Sequence, residues 1–432
     1  MAYLIYTQKK QLLLINHSAK NGLYSQTLSS SGLSRPLSIH RNPVSQYSAT
    51  VDNNQDLHII TQPSPEQIIH LHYKNNSLTR NIILEDPKGI YHFSNLHVTA
   101  LKEHVHLFYT ASQPIGESYD LIHHILCQEN KSEPYPIMSF SQTHLGFRYL
   151  SHKDTIYVLY GDVTDQYSLY LMLYNGNQWE SSQLISTSSF PIDDFQLCID
   201  NQDTIHLVYV QEKYGRYHLL YKKKQANIWS DEILLHTVSS SIKPSIFTYH
   251  RGLWVTYVDN NQLYMILSMD HGNRFSQSVK CSLQEGELEP CHFICASGTM
   301  PDSFNGSLLY ALVSPTIRVG VISHIDMIGL HPDISPNTEL ELFVDGIFYA
   351  QHQNPARVSS PTPAVPLAPD PDLSSNMALL LSENEQLKQT QQQMIEQYND
   401  MTELTKKIQE EGKKWRSRAL AVEQAKSQDP SI

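Results

Sequence analysis

The segment Asp200-Asn201-Gln202-Asp203-Thr204-Ile205-His206-Leu207-Val208-Tyr209 combines a polar turn with a strand rich in β-branched and aromatic residues. Similar segments recur through much of the chain. With His206 as the reference position on this strand, the series of equivalent residues is His58, His106, Tyr157, His206 and Trp254, at spacings of 48, 51, 49 and 48 residues. A turn and a strand repeated at this period are typical of a β-propeller, in which small sheets are arranged around an axis.

One repeat unit, from Asp193 to His236, shows the strands of a single blade. Alternating apolar residues predict a first strand, and Thr204–Val210 predicts a second strand after the polar turn. Residues 217–222 and a segment that begins at Trp229 predict the third and fourth strands. Four antiparallel strands within roughly fifty residues describe one propeller blade.

The two ends of the repeat region are less regular and leave the number of blades open. Tyr3–Tyr6 has the pattern of a second strand without its first strand, and Leu308–Val313 comes late, after an expected loop insertion at residues 298–306. Leu340–Asp345 is a candidate for the missing strand, which would join the ends of the ring and remove exposed edges. We therefore expect residues 1–350 to form an all-β β-propeller of about seven four-stranded blades, with six as the alternative.

The composition changes abruptly after Ala350. Prolines cluster within residues 351–372, together with Ser, Thr and Ala. This composition predicts a Pro-rich linker of extended polyproline type. A surface loop packed on the propeller is the alternative.

Residues 373–428 follow as a predicted helical stalk. Half of a coiled-coil seam recurs at intervals of seven residues, at Leu380, Leu387, Met394, Met401, Ile408, Trp415 and Val422. The other half of the seam is poor and includes Asn384 and Gln391, which lower stability but select register. We expect a homo-oligomer formed through residues 377–422. A single amphipathic helix, free or docked on its own propeller or on another protein, is the alternative.

The bulk composition excludes several classes of partner. The 432-residue chain has a formal net charge of −12, so we expect no nucleic acid and no anionic membrane surface as its main partner. No apolar run of the sequence is long enough to span a bilayer, and the N-terminus lacks the pattern of a secretory signal. Five scattered cysteines favour free thiols and a cytoplasmic location, with export that uses no cleaved signal as the alternative.

The segment Ser268-Met269-Asp270-His271-Gly272-Asn273-Arg274-Phe275 stands apart from the other turns. Its Asp accepts backbone N–H groups, its Gly permits positive φ, and its aromatic ring anchors the following strand. The segment is similar to the Asp box, or BNR repeat, of sialidase-like propellers, and residues 174–179 resemble a reduced copy. The resemblance implies a folding element on the outer turns, away from the ligand, so we assign no site residue to it.

The same resemblance implies what an enzyme of this kind requires. Sialidase-like enzymes use three arginines to hold a carboxylate, a Tyr/Glu nucleophile pair and an Asp acid/base. Arg148, Arg216, Arg251 and Arg318 are available, but their spacing predicts no triad.

Two H-x-H pairs have a metal-binding interpretation. His70/His72 and His104/His106 each place two imidazoles on one face of a strand, as a shared metal ion requires. The favoured interpretation is that these histidines replace Tyr as half-buried strand residues.

Cys291 and Cys295 also share one face of a predicted strand. No second Cys/His pair has zinc spacing, so buried structural thiols are favoured. The sequence contains no phosphate-binding loop, dinucleotide fingerprint or serine-hydrolase motif. We therefore predict no catalytic, cofactor-binding or metal-binding residues and no cofactor.

The architecture favours a non-catalytic role. Function in propellers usually lies in the loops at one mouth of the central channel. We predict a binding or scaffold protein that recognises a protein or glycan ligand at this mouth and is oligomerised or docked through its C-terminal helix. A sialidase-like glycoside hydrolase is the alternative, and a structural part of a larger assembly is a third hypothesis.

Overall fold

The computed structural model of the protein describes residues 1–7, 12–29, 32–75, 77–113, 118–126, 133–141, 145–249, 252–281, 288–295, 305–312 and 318–319. Within these ranges the chain forms 29 β-strands and no helix. No helix of this part of the chain is therefore long and apolar enough to cross a membrane. The predicted linker, stalk and closing strand at Leu340–Asp345 lie outside the described residues.

Five sheets follow the predicted plan of consecutive antiparallel strands. The second sheet comprises β6 (Gln46–Val51), β7 (Leu57–Ser64), β8 (Gln67–Lys74) and β9 (Ser77–Glu85). The third comprises β10 (His92–Leu101), β11 (His104–Ser112), β12 (Ser118–Leu126) and β13 (Tyr135–Ser141). The fourth comprises β14 (Gly146–His152), β15 (Thr155–Val163), β16 (Tyr167–Tyr174) and β17 (Gln183–Ser188).

The fifth and sixth sheets repeat this order. The fifth comprises β18 (Ile192–Ile199), β19 (Ile205–Lys213), β20 (Arg216–Gln225), β21 (Ile228–Trp229) and β22 (Ile233–Val238). The sixth comprises β23 (Ser245–Tyr249), β24 (Gly252–Asp259), β25 (Gln262–Ser268) and β26 (Val279–Lys280). The strands predicted within Asp193–His236 are thus confirmed, with ends that differ by a few residues.

The first sheet joins the two ends of the repeat region. It contains β1 (Ala2–Tyr6), β2 (Leu12–Ser18), β3 (Gly22–Ser29), β4 (Gly32–Leu33) and β5 (Leu37–His40), together with β27 (Leu288–Cys295), β28 (Leu308–Leu312) and β29 (Arg318–Val319). β1 pairs with β27 in parallel, so that Ala2 lies opposite Cys291 and Tyr6 opposite Cys295. The two terminal units, which the sequence suggests as separate blades, therefore share one sheet. The propeller is confirmed, and the described residues form six sheets, the alternative number.

The hydrophobic core lies between the sheets. Six clusters of buried residues occur in the described chain, and each is shared by two neighbouring sheets. Leu159 of the fourth sheet packs with Leu207 of the fifth, for example. The cluster that contains Leu4 and Leu14 of the first sheet also contains Trp254 of the sixth. The series of clusters therefore closes into a ring.

The polar turn of the repeat is linked to the histidine on the strand that follows it. The Asp200 carboxylate accepts hydrogen bonds from the backbone N–H groups of Gln202 and Thr204, at 2.9 and 2.8 Å. Its other oxygen lies 3.2 Å from Nε2 of His206. Burial disfavours ionisation of Asp200, but these partners outweigh it and hold the pKa well below its ordinary value. Asp52 and His58 repeat the arrangement in the second sheet, with 3.5 Å between them.

Residues 268–275, the segment similar to an Asp box, form a closed turn between β25 and β26. Asp270 accepts hydrogen bonds from Ser268 Oγ and from the backbone N–H of Arg274, both at 2.9 Å, and from Arg274 Nε at 2.8 Å. The Gly272 N–H donates to Ser268 Oγ at 2.9 Å. This network of local bonds stabilises the turn.

Gly272 is the residue of this turn that tolerates replacement least. Its φ is +76°, and an added Cβ would lie 1.9 Å from the Tyr221 hydroxyl. Gly215 has a similar φ of +72° with no atom within 4 Å, so it serves as a matched control. We predict that Gly272→Ala lowers the free energy of unfolding by about 2–4 kcal/mol and Gly215→Ala by about 1 kcal/mol. Urea denaturation measures both, and equal losses would contradict the close packing of Gly272 on Tyr221.

Candidate functional site

A cavity of about 270 Å³ lies where the first strands of three successive sheets meet β27. We call it the first-strand cavity. It is lined by the C-terminal ends of β6, β10 and β14, by β27 and by residues 305–307. Its polar lining includes Thr50, Thr99, Tyr149, Ser151, His152 and Asn305.

Most polar groups of the first-strand cavity are uncharged. The Thr99 hydroxyl donates to Ser151 Oγ at 3.0 Å. The Asn305 amide lies 2.9 Å from Nδ1 of His152. Hydroxyl and amide groups both donate and accept hydrogen bonds, so this lining suits a ligand with several hydroxyl groups.

Charged groups at the rim of the cavity are paired with each other. Lys153 Nζ and His152 Nε2 both contact the carboxylate of Asp203, at 2.7 and 3.0 Å. These contacts, with Lys153 the larger influence, lower the pKa of Asp203. The rim therefore presents little uncompensated charge to a ligand.

Tyr149 and His292 line the cavity and pack on further aromatic rings. His292 stacks on Tyr3 with ring centroids 4.7 Å apart, and His97 lies 5.1 Å from Tyr149. Burial, reinforced by Arg148, lowers the pKa of His292 to about 4. Burial also lowers the pKa of His97 well below its ordinary value. Both imidazoles are consequently neutral at pH 7.

The described residues bring one arginine to the first strands. Arg148 donates to Asp194 at 2.7 Å, and its guanidinium lies 5.5 Å from the centre of the Phe195 ring. Arg216 is exposed at the start of β20. Arg251 and the side chain of Arg318 lie outside the described residues.

A tyrosine–glutamate hydrogen bond is present, but elsewhere in the sheets. Tyr209 donates to Glu232, which also accepts a hydrogen bond from Ser186 at 2.9 Å. Glu232 immediately precedes β22, and Ser186 belongs to β17, both outer strands of their sheets. The pair therefore lies away from the first-strand cavity.

The H-x-H histidines contact other histidines. His58 Nδ1 lies 3.0 Å from His70 Nε2, and the His58 ring stacks on that of His72 at 4.4 Å. In the third sheet His106 is buried and lies 2.9 Å from Nε2 of His123, whereas His104 is exposed. Within the described ranges, no group of three or more His, Cys, Asp or Glu residues has the geometry to hold a metal ion.

Three cysteines are placed by the structure. Cys198, Cys281 and Cys291 are buried. Cys291 lies opposite Ala2 at the seam of the first sheet, as expected for a structural thiol. The side chain of Cys295 lies outside the described residues.

A smaller cavity of about 190 Å³ lies between the fifth and sixth sheets. There His271 of the Asp-box turn contacts the carboxylate of Asp200 at 3.2 Å, and Gln202 lies 3.3 Å from the same imidazole. These polar groups join the turn of the fifth sheet that contains Asp200 to the turn of the sixth sheet that contains His271. The cavity therefore lies at a structural contact between two sheets.

The sequence did not point to the residues of the first-strand cavity. Thr99, Ser151 and Asn305 are common residue types without a motif, and they come from distant parts of the chain. For Thr99 and Ser151, the position at the ends of first strands was the available signal, because each such end precedes a turn of the repeat.

The buried histidine pairs make stability depend on pH. Burial, followed by the charges of neighbouring histidines, lowers the pKa of His106 to about 4 and that of His123 to about 3. Burial likewise lowers the pKa of His58 to about 4. Between pH 6.5 and about 4 the unfolded chain binds protons that the folded chain excludes, so stability falls as the pH falls.

We predict that the free energy of unfolding is greatest above pH 6.5 and decreases steadily down to pH 4. For each histidine, the free energy of unfolding that is lost at low pH is about 1.4 kcal/mol for every unit by which folding lowers its pKa. His123→Phe should make this decrease shallower, since Phe keeps the ring packing against Phe108, whereas His17→Gln on β2 serves as control. Urea denaturation at pH 7.5, 6, 5 and 4.5 measures the slope, and an unchanged slope in His123→Phe would exclude this cause.

No protein-family model matches the chain, and no curated protein sequence matches it. Among solved structures, an ulvan lyase from a new family of polysaccharide lyases, bound to -[GlcA(1-4)Rha3S]-, aligns with a TM-score of 0.52 and 11% sequence identity. The alignment covers 72% of this chain and 88% of that chain.

Two other propellers align less closely. The Aleuria aurantia lectin in complex with Fucα1-6GlcNAc gives a TM-score of 0.37 at 11% identity, over 64% of this chain and 94% of that chain. A neuraminidase-like protein of A/little yellow-shouldered bat/Guatemala gives 0.38 at 9% identity, over 65% and 93%. At such identities a likeness concerns the fold alone, and of these three the ulvan lyase alignment supports the propeller fold.

Proposed function

We propose that the chain is a non-catalytic propeller that binds a glycan in its first-strand cavity. The observation that carries this proposal is the lining of that cavity by neutral hydroxyl, amide and aromatic groups, with the charges at its rim paired. Sugars offer hydroxyl groups that both donate and accept hydrogen bonds and C–H faces that pack on rings, which matches Thr99, Ser151 and Tyr149.

The size of the cavity favours a saccharide unit over a protein surface. About 270 Å³ is at the small end for ligand pockets. A stable protein interface buries roughly 800 Å² on each partner, which calls for a broad surface. The ulvan lyase, whose fold is similar, is described with a bound saccharide, so this fold is compatible with such a ligand.

A sialidase-like glycoside hydrolase is the second candidate. The Asp-box hydrogen bonds of Ser268, Asp270 and Gly272 support a relationship to sialidase-like repeat propellers. Catalysis would need further groups around the single described arginine of the first strands, Arg148, which is already paired with Asp194. Release of sugar from a fluorogenic sialoside by the full chain would favour this candidate.

In this proposal the C-terminal segment brings several copies of the chain, and therefore several binding sites, together. Copies joined through residues 377–422 would raise the effective concentration of weak sites and convert them into tight binding. Docking of the stalk in a larger assembly is the competing role. A cytoplasmic location accords with the buried free thiols of Cys198 and Cys291, and the net charge of −12 disfavours nucleic-acid and membrane partners.

Replacement of two cavity hydroxyl groups tests the ligand proposal. A glycan array with the full chain identifies the bound sugar, and calorimetry then measures its affinity. We expect Thr99→Val/Ser151→Ala to weaken binding at least about ten-fold, since each lost hydrogen bond contributes about 1 kcal/mol. Ser38→Ala on β5 should bind as the original chain does. Unchanged affinity in the double variant would exclude the first-strand cavity as the glycan site.

Charged substitutions in the seam test the clustering proposal. We predict that the full chain sediments as an oligomer at tens of micromolar and that Leu387→Asp/Met394→Asp sediments as a monomer, because buried carboxylates are unfavourable in a coiled coil. Gln389→Asp/Gln393→Asp adds the same charge outside the seam and should remain oligomeric. A monomeric original chain would contradict self-association and favour docking, which pull-down with and without residues 373–432 would then examine.

A further inference from the structure

The turn between β19 and β20 differs from the equivalent turns of the other sheets. Its tip residue, Tyr214, is 85% exposed and has a φ of +54°, a conformation that bulky residues rarely adopt. The corresponding described turns have the non-aromatic residues 19–21, 65–66, 164–166 and 260–261 at their tips. An exposed aromatic residue is therefore not a requirement of the fold at this position.

Tyr214 belongs to a small aromatic platform. Its ring packs edge-on against Phe190, with centroids 5.3 Å apart. The ammonium group of Lys213 lies 5.0 Å from the centre of the Phe190 ring and 5.7 Å from that of Tyr214. One ring of the pair is thus presented to solvent beside a positive charge.

Hydrogen bonds fix the two loops of the platform to each other. Ser188 Oγ accepts from the backbone N–H of Phe190 at 2.8 Å and from the Gln211 amide at 2.6 Å. The Glu212 N–H donates to the Pro191 carbonyl at 2.8 Å. The platform is consequently held in place before any ligand arrives, which lowers the entropic cost of binding.

The platform also concentrates positive charge in an acidic chain. Lys213 lies directly opposite Arg216 in the register of β19 and β20. Neither residue forms an ion pair with a carboxylate in the part of the chain that the structure describes. Like charges in directly opposite positions destabilise a strand pair. An anionic ligand would remove this repulsion.

We propose that Phe190, Tyr214, Lys213 and Arg216 form a second saccharide site, selective for sugars that carry a carboxylate or sulfate group. The sugar would stack on the exposed ring of Tyr214, and the two cations would contact its anionic group. A protein partner fits less well, because two rings surrounded by polar turns do not offer the buried aromatic centre of a protein interface. This site goes beyond the proposed function, since it shares no residue with the first-strand cavity.

Calorimetry on the full chain with three probes tests the inference. Tetragalacturonate supplies carboxylates, a heparin tetrasaccharide supplies sulfates, and cellotetraose is neutral. We expect at least one acidic probe to bind at least ten-fold more tightly than cellotetraose. Equal affinity for all three probes, or no binding of the acidic ones, would overturn the proposal.

Two variants separate the ring from the charges. Tyr214→Asn keeps a residue that accepts the left-handed conformation and should weaken binding of the acidic probe at least ten-fold. Lys213→Gln/Arg216→Gln should abolish the preference for the acidic probe and its salt dependence. Gln166→Ala, in the equivalent turn of the fourth sheet, is the matched control, and thermal melting confirms that each variant folds. Tyr214→Asn with unchanged affinity would overturn the inference.

The cavity variant distinguishes this inference from the proposed function. Thr99→Val/Ser151→Ala should leave the affinity for the acidic probe unchanged. If it abolishes that affinity while Tyr214→Asn does not, the acidic sugar binds in the first-strand cavity, and only the proposed function stands. If only Tyr214→Asn reduces saccharide binding, the platform stands and the cavity proposal fails.

Discussion

In the part of the chain that the structure describes, each sheet buries its apolar faces against neighbouring sheets, so the structure depends on closure of the ring. The cluster that includes Leu4, Leu14 and Trp254 is shared by the first and sixth sheets and completes the series of six clusters in the described chain. Without this cluster, apolar faces on both sheets would be exposed to water. The free-energy cost would be roughly 25 cal/mol for each Å² of apolar surface exposed. The parallel pairing of β1 with β27 adds backbone hydrogen bonds to this closure and covers a strand edge that would invite aggregation.

Polar residues within this apolar framework fix how the strands meet. His206 joins Asp200 at one nitrogen and the Tyr221 hydroxyl, 2.7 Å away, at the other, so one buried imidazole connects a turn with two strands. A shift of register by one residue would separate the His206 imidazole from the Tyr221 hydroxyl and leave both buried groups without this hydrogen bond. The same burial keeps the imidazoles neutral, so the specificity of these contacts is linked to acid sensitivity.

The sequence predicts local structure well because turns and alternating strands leave a periodic pattern. It gives no such signal for contacts between units. The seam between β1 and β27 joins strands from opposite ends of the described chain, and parallel pairing needs no turn that a motif would reveal. Asn305 reaches His152 across 153 positions in the sequence. The first-strand cavity, built from such contacts, was for this reason not predictable. The turn at residues 268–275 is local, so its Asp270 acceptor and the positive φ of Gly272 were predictable.

The two ends of the sheets are subject to different constraints. At the end of the first–second strand turns, Asp52, Asp200 and their histidines form part of the core, so substitution there disturbs folding. The second–third strand turns lie at the opposite end of the same strands, and those that the structure describes carry no such repeated network. A strained, exposed aromatic residue such as Tyr214 gains little packing energy to offset its backbone conformation, which costs about 1–3 kcal/mol. A ligand that contacts the Tyr214 ring would account for this conformational cost, because the binding energy would offset strain that packing in the folded protein does not.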